Sequence, residues 1–155
     1  MPREMRRQDR AISPERTIRI LEQGVFGVLS TVSAQGQPYG IPLHYCLLDG
    51  AIYFHCAPEG RKLDHLAHDP RVSFCVVGSH QVLPEQFTTQ YESVVVQGRA
   101  SEAFGEEKQI ALEGLIDKYS PGFRAQGLDY IAKLGHKTRV FRIAIESLSG
   151  KSRAA

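Results

Sequence analysis

Two cationic residues, Arg61 and Lys62, follow a Pro58-Glu59-Gly60 break that closes the short apolar run 52–54 and His55. Leu63 and Leu66 then share one face of a helix, so strand, turn and helix start succeed one another over residues 52–66. The first turn of a helix carries unpaired backbone N–H groups and the positive end of the helix dipole. Two cationic side chains added there make a corner suited to a phosphate. His55 stands at the strand end just upstream, and an imidazole with an ordinary pKa near 6.5 suits proton transfer at neutral pH. Taken alone, these residues also allow a solvated Arg-Lys pair and a hydrogen-bonded structural histidine.

Other chemistries fit less well. His44, Cys46, His55, Cys56 and Cys75 are the candidate metal ligands in the middle of the chain. Their spacing matches no zinc pattern, and a cysteine in a strand is usually a small buried hydrophobe. A Cys56–His55 nucleophile pair fails on geometry, because adjacent strand residues point to opposite faces. A phosphate-bearing planar cofactor such as a flavin absorbs more of the oddities. Its phosphate would take the Arg61-Lys62 corner. Its ring would lie on a rim made by Gly40, Ile41, Pro42 and Leu43, with Thr31 and Val32 ending the neighbouring strand. Pro42 inside an apolar run removes a ladder donor and places that run at an edge, a bulge or a ligand-facing rim. Gly40 beside it lets another group approach the backbone.

The elements that must position these groups can be read in order. Ser13 and Pro14 are a helix N-cap and first residue, ahead of apolar positions 18, 21 and 25 at helical spacing. Residues 25–32 form a continuous apolar strand, and residues 38–48 return beside it. Asp49-Gly50 is a hairpin signal, giving a three-strand meander that leads into the cationic corner. Residues 71–78 make a fourth strand, and residues 79–90, with no clean period, a long loop. Residues 91–104 make a fifth strand with a bend or bulge at Gly98. Two more helices, opening at Gly105 and Gln126, precede a sixth strand over residues 138–145. The expected architecture is mainly β (β + α), a small six-stranded antiparallel barrel with peripheral helices. Tight connections argue against a parallel sheet.

The chain has 155 residues, 42% apolar and 23% charged, which fits one globular domain over 1–155. Its formal net charge of +2 is too mild to indicate nucleic acid. The basic residues among positions 1–11 read as a mobile arm. Three cysteines without a CxxC pair give no disulfide framework. No apolar run is long enough for a membrane helix and no secretory signal opens the chain, so no membrane partner and a cytoplasmic location are expected.

Several short motifs, in fixed order, carry a resemblance. They are Gly27-Val-Leu-Ser-Thr-Val32, Gln35-Gly-Gln-Pro-Tyr-Gly-Ile-Pro-Leu43, Ile52-Tyr-Phe-His-Cys-Ala57, Gly60-Arg-Lys-Leu-Asp64, Asp69-Pro-Arg-Val-Ser-Phe-Cys-Val-Val77, Phe87-Thr-Thr89, Tyr91-Glu-Ser93 and Lys118-Tyr-Ser-Pro121. Together they resemble the flavin-binding split-barrel superfamily of pyridoxamine 5′-phosphate oxidase, and within it the nitroimidazole-resistance (Nim) branch. The resemblance spans residues 5–151. It implies a homodimer with FMN at the subunit interface. It implies phosphate contacts from Arg61 and Lys62, and ring contacts from Thr31, Val32, Ile41, Pro42 and Leu43. His55 would lie near the flavin as the catalytic candidate. The segment 87–93, with Thr88, Thr89 and Ser93, would arrive from the partner chain. The implied activity is FMN-dependent reduction of small electrophiles such as nitroaromatics by a nicotinamide donor. Flavin or haem binding without turnover, and pyridoxamine 5′-phosphate oxidase activity itself, are the rival readings.

Overall fold

The computed structural model describes residues 3–154. Four α-helices and seven strands alternate along it: α1 (Pro14–Gln23), β1 (Gly27–Val32), β2 (Pro38–Leu43), β3 (Cys46–Leu48), β4 (Ala51–Cys56), α2 (Arg61–His68), β5 (Arg71–Leu83), β6 (Thr88–Ala103), α3 (Gly105–Tyr119), α4 (Arg124–Leu134) and β7 (Arg139–Arg153). The strands form one antiparallel sheet in the order β2-β1-β5-β6-β7-β4-β3. The six-stranded expectation is therefore corrected to seven, and no ladder among the described residues closes the sheet. Residues 38–48 are not one returning strand. They split at His44-Tyr45 into β2, paired only with β1, and β3, paired only with β4. No three-strand meander exists.

This split shapes the molecule. β2 and β3 are the two outer edges of the sheet, yet only two residues join them. Leu43 and Cys46 can be at most about 11 Å apart, at 3.8 Å per Cα step. The sheet must therefore curl until its edges nearly meet. Tyr45 is buried at this seam. Its hydroxyl donates to the carbonyl of Leu21 in α1, and its ring packs edge-on against Phe74 at 4.9 Å. Pro42 lies on the β2 edge, where a missing ladder donor costs nothing.

Local chemistry starts the elements as expected. The Ser13 hydroxyl caps α1 by accepting from the Arg16 N–H at 3.2 Å, with Pro14 at the first helical position. Asp49 (φ 48°) and Gly50 (φ 75°) make the tight β3–β4 turn. Residues 79–90 are not a long loop. β5 and β6 continue through them as a paired ribbon whose register shifts between Val77 and His80. That bulge breaks the apolar alternation and hides the strand from a reading by period. β7 likewise runs on to Arg153, beyond the expected 145, pairing along β6 with a shift at Gly98. A side chain at Gly98 would collide with the carbonyl oxygen of Ala144, which accounts for the glycine at this bulge. Of the N-terminal arm, Gln8–Arg10 form a 3-10 turn and Ala11 bridges Lys151, while residues 1–2 lie outside the described part.

Two apolar clusters hold the fold. Leu29, Ile52, Phe54, Phe74, Val76 and Val96 fill the curl of the sheet, sealed by Ile20 and Leu21 of α1 and Leu63 and Leu66 of α2. The second lies on the other face of β4. There Ala51, Tyr53 and Val140 pack against Ala111, Leu112 and Leu115 of α3 and Ile131 of α4. β4 is thus covered on both faces, and His55 continues the face of Ala51 and Tyr53 just beyond the helices.

Candidate functional site

The corner between β4 and α2 has the form its sequence implies. Gly60 sits at φ 150°, ψ 168°, a conformation that only glycine adopts readily, and no side chain caps the helix. The turn is pinned from β7: the Arg139 guanidinium donates to the carbonyl of Pro58 at 3.3 Å and pairs with Glu102. Arg61 extends over the Tyr39 ring, 5.1 Å from its centroid. Lys62 is half-buried behind it. Among the described residues neither cation has a carboxylate within salt-bridge distance. Two unpaired cations at an uncapped helix start are complementary to a phosphate monoester.

α2 is locked to β1 by a contact that spacing could not reveal. The buried Thr31 hydroxyl and His65 Nδ1 lie 2.8 Å apart, and the imidazole meets Tyr39 edge-on at 5.5 Å. The Thr31 hydroxyl is therefore occupied in positioning α2. Val32 points to the opposite, outer face and lines a groove of about 550 Å³ with Ser73, Gln97 and Arg99. Ile41 and Leu43 turn inward onto the core, while Pro42 lies exposed opposite Val28.

His55 is brought beside the corner but faces α3 and α4. It lines a cavity of about 270 Å³ with His44, Tyr119, Ser120 and apolar helix residues. Loss of water around the ring, and then the neighbouring His44 and Lys62, hold its pKa below the ordinary 6.5. The imidazole is thus neutral at pH 7. Cys56 points the other way and is buried, as alternation requires. No group of three or more His, Cys, Asp or Glu side chains among the described residues is placed to hold a metal ion.

The His55 shift carries a pH prediction. A histidine whose folded pKa is lowered binds its proton more weakly in the folded state, so stability rises with pH between that lowered value and 6.5. The stability is fully present above 6.5 and is lost as pH falls through the window. Replacing Lys62 with Gln removes one of the causes, so the His55 ring titrates at higher pH. Histidine Cε1–H shifts in an NMR titration report this directly; an unmoved or lower midpoint contradicts the proximity of Lys62.

Thr88 and Thr89 are not brought to this corner within one chain, while Ser93 lies midway along the same strand. Gly98 of β6 pairs with Val72, near the end of α2, and Thr88 lies ten residues further along. That is about 34 Å on an antiparallel strand. His44, Tyr119 and Lys118 join the site region through contacts distant in sequence, Lys118-Tyr119 standing only within one of the quoted motifs and His44 only among the candidate metal ligands. The His44 ring stacks on Tyr119 at 4.1 Å, and the Tyr119 hydroxyl accepts from the Tyr45 N–H at 3.1 Å. Behind them the Lys118 amine is buried with no hydrogen-bond partner, 3.8 Å from the Tyr45 ring centroid. Desolvation lowers its pKa.

The family described as pyridoxamine 5′-phosphate oxidase matches residues 13–152. The chain belongs to that family. Solved structures agree on the fold. A proposed 5-nitroimidazole antibiotic resistance protein from Bacteroides thetaiotaomicron superposes with a TM-score of 0.75 at 19% identity, covering 92% of this chain and 86% of that one. An FAD-binding protein from Mesorhizobium loti gives 0.65 at 26% identity, covering 94% and 98%. An FAD- and haem-binding protein from Mycobacterium smegmatis gives 0.78 at 19% identity, covering 96% and 75%. No curated protein matches the chain. This pyridoxamine 5′-phosphate oxidase family member has no helix long and apolar enough to cross a membrane among its described residues.

Proposed function

We propose that the chain is an FMN-dependent oxidoreductase of the Nim type, working as a homodimer on small electrophiles such as nitroaromatics. The observation that carries this reading is the pair of unpaired cations at the uncapped start of α2. It fits the phosphate of FMN, and the similar proteins described as FAD-binding support a flavin. A bound flavin supplies electron transfer between a nicotinamide donor and the electrophile. Arg61 and Lys62 hold the phosphate, with Tyr39 and the Thr31–His65 contact fixing where they stand. The β2 rim at Ile41, Pro42 and Leu43 orients the ring. His55 would donate a proton or a hydrogen bond near the ring, and its pKa, held below the ordinary 6.5, leaves it to be recharged from solvent after each transfer.

The outer face of the sheet supports the dimer. Pro42, Val28, Cys75 and Val95 stand in one cross-strand row, with Val28 37% and Val95 40% exposed. Phe26 and Val77 are also exposed near it. An exposed apolar row of this kind suits an interface between two copies of the chain. A partner chain is also the route by which Thr88, Thr89 and Ser93 complete a flavin site.

The visible spectrum of the purified protein tests this function. Flavin absorption, with FMN released on denaturation, bleached by NADH or NADPH and restored by a nitroimidazole, is expected. A Soret band instead favours haem binding, and flavin that no donor bleaches favours a binding protein without turnover.

A further inference from the structure

The cavity behind His55 has walls unlike the phosphate corner. Leu112, Leu115, Ile131 and Leu134 supply its apolar sides, and Tyr119 and Tyr130 add aromatic ones. Its polar side chains are two imidazoles and the hydroxyls of Ser120, Thr138 and the tyrosines; among the described residues no Asp, Glu, Lys or Arg lines it. At about 270 Å³ it exceeds the ~150 Å³ that accommodates benzene and falls just below the ~300–1,000 Å³ of drug-sized sites. A charged ligand would lose water there and gain no ion pair. His55 and His44 stand together at its polar side, so whatever fills it lies against the imidazole that borders the cationic corner.

We infer that this α3–α4 cavity is the acceptor chamber, and that it selects uncharged one- or two-ring aromatics while rejecting anionic ones. The inference rests on the proposed flavin function for its chemistry, but the selectivity is a property of these walls alone. It separates the chain's substrate class from phosphorylated pyridine substrates, which carry the charge the cavity cannot pair. The ring stack of His44 on Tyr119 sets one side of the slot. Gly135 lies at the other, where an added Cβ would stand 3.4 Å from Ile131 and 3.9 Å from Leu112, in ordinary contact with cavity walls.

The test uses nitrobenzene and 4-nitrobenzoate, which share a ring and differ in charge. Dissociation constants from NMR titration of the purified full chain should favour nitrobenzene at least tenfold, with the Cε1–H signals of His44 and His55 shifting on binding. Gly135→Leu and Leu134→Trp each fill the cavity and should weaken nitrobenzene tenfold or more, while FMN affinity stays within twofold. Leu134 is 37% exposed, so its variant retains the fold if Gly135→Leu does not. Equal binding of the two probes overturns the inference, as does nitrobenzene affinity unchanged in a folded variant or abolished together with FMN affinity. A wild-type chain that binds no FMN but still selects nitrobenzene, with both histidines shifting, supports the chamber and sinks the flavin function.

Discussion

Replacing Arg61 and Lys62 together with Ala lowers the affinity for FMN more than a hundredfold. In the proposed site each side chain would make a charge-assisted contact to the phosphate, worth about 1.5–3 kcal/mol. The pair therefore carries about 3 kcal/mol or more, and each 1.4 kcal/mol is tenfold in affinity. The fold should tolerate the change. Arg61 is exposed, Lys62 is half-buried, and neither is in an ion pair with a described carboxylate. Within the protein the substitution removes the stacking of Arg61 over the Tyr39 ring, worth about 0.5–1 kcal/mol at an exposed site. Fluorescence quenching of added FMN measures the affinity, and a melting curve checks the fold. Unchanged FMN affinity in a folded double variant would put the phosphate elsewhere.

The second large effect concerns assembly. If the proposed homodimer forms through the outer face, Val28→Arg with Val95→Arg should leave a monomer at micromolar concentration and take flavin affinity with it. Val28, Cys75 and Val95 are cross-strand neighbours on the outer face, so two guanidinium groups per chain would enter the middle of an apolar contact. Burying unpaired charge costs several kcal/mol per ion. Even about 4 kcal/mol over the whole interface is roughly a thousandfold in the dimer dissociation constant. In the proposed dimer flavin affinity falls as well, because Thr88 and Thr89 stand far along β6 from the Gly98–Val72 pair and would reach a phosphate corner only across chains. Sedimentation analysis reads the first effect and flavin titration the second. A variant that stays dimeric rules out this face as the interface; a monomer with full flavin affinity rules out the shared site.

What the sequence makes legible is what is decided locally. Ser13 and Pro14 start α1 through one side-chain bond and one fixed φ, and Asp49-Gly50 turns the β3–β4 hairpin through two positive φ values. The Gly60-Arg61-Lys62 corner belongs with these, because a turn, two cations and a helix start are adjacent in the chain. What stays hidden depends on partners distant in sequence. Nothing in residues 38–48 says that the first half pairs with β1 and the second with β4, since the apolar pattern runs through both. The extension of β5 past Val77 is masked by its own bulge. Likewise, Thr31 meets His65 across 34 positions and Tyr45 meets Tyr119 across 74. No spacing rule links such residues. His44, singled out in the sequence only for its residue type, stacks on Tyr119, and the Cys46 thiol is buried against the carbonyl of Ala111.

The most direct test compares FMN with riboflavin, which lacks only the phosphate. Wild-type protein should bind FMN more than a hundredfold tighter than riboflavin, and the Arg61→Ala, Lys62→Ala variant should bind the two within about threefold of each other. Riboflavin binding as tight as FMN in the wild type, or a preference for FMN that survives in the variant, would contradict a phosphate held at the start of α2.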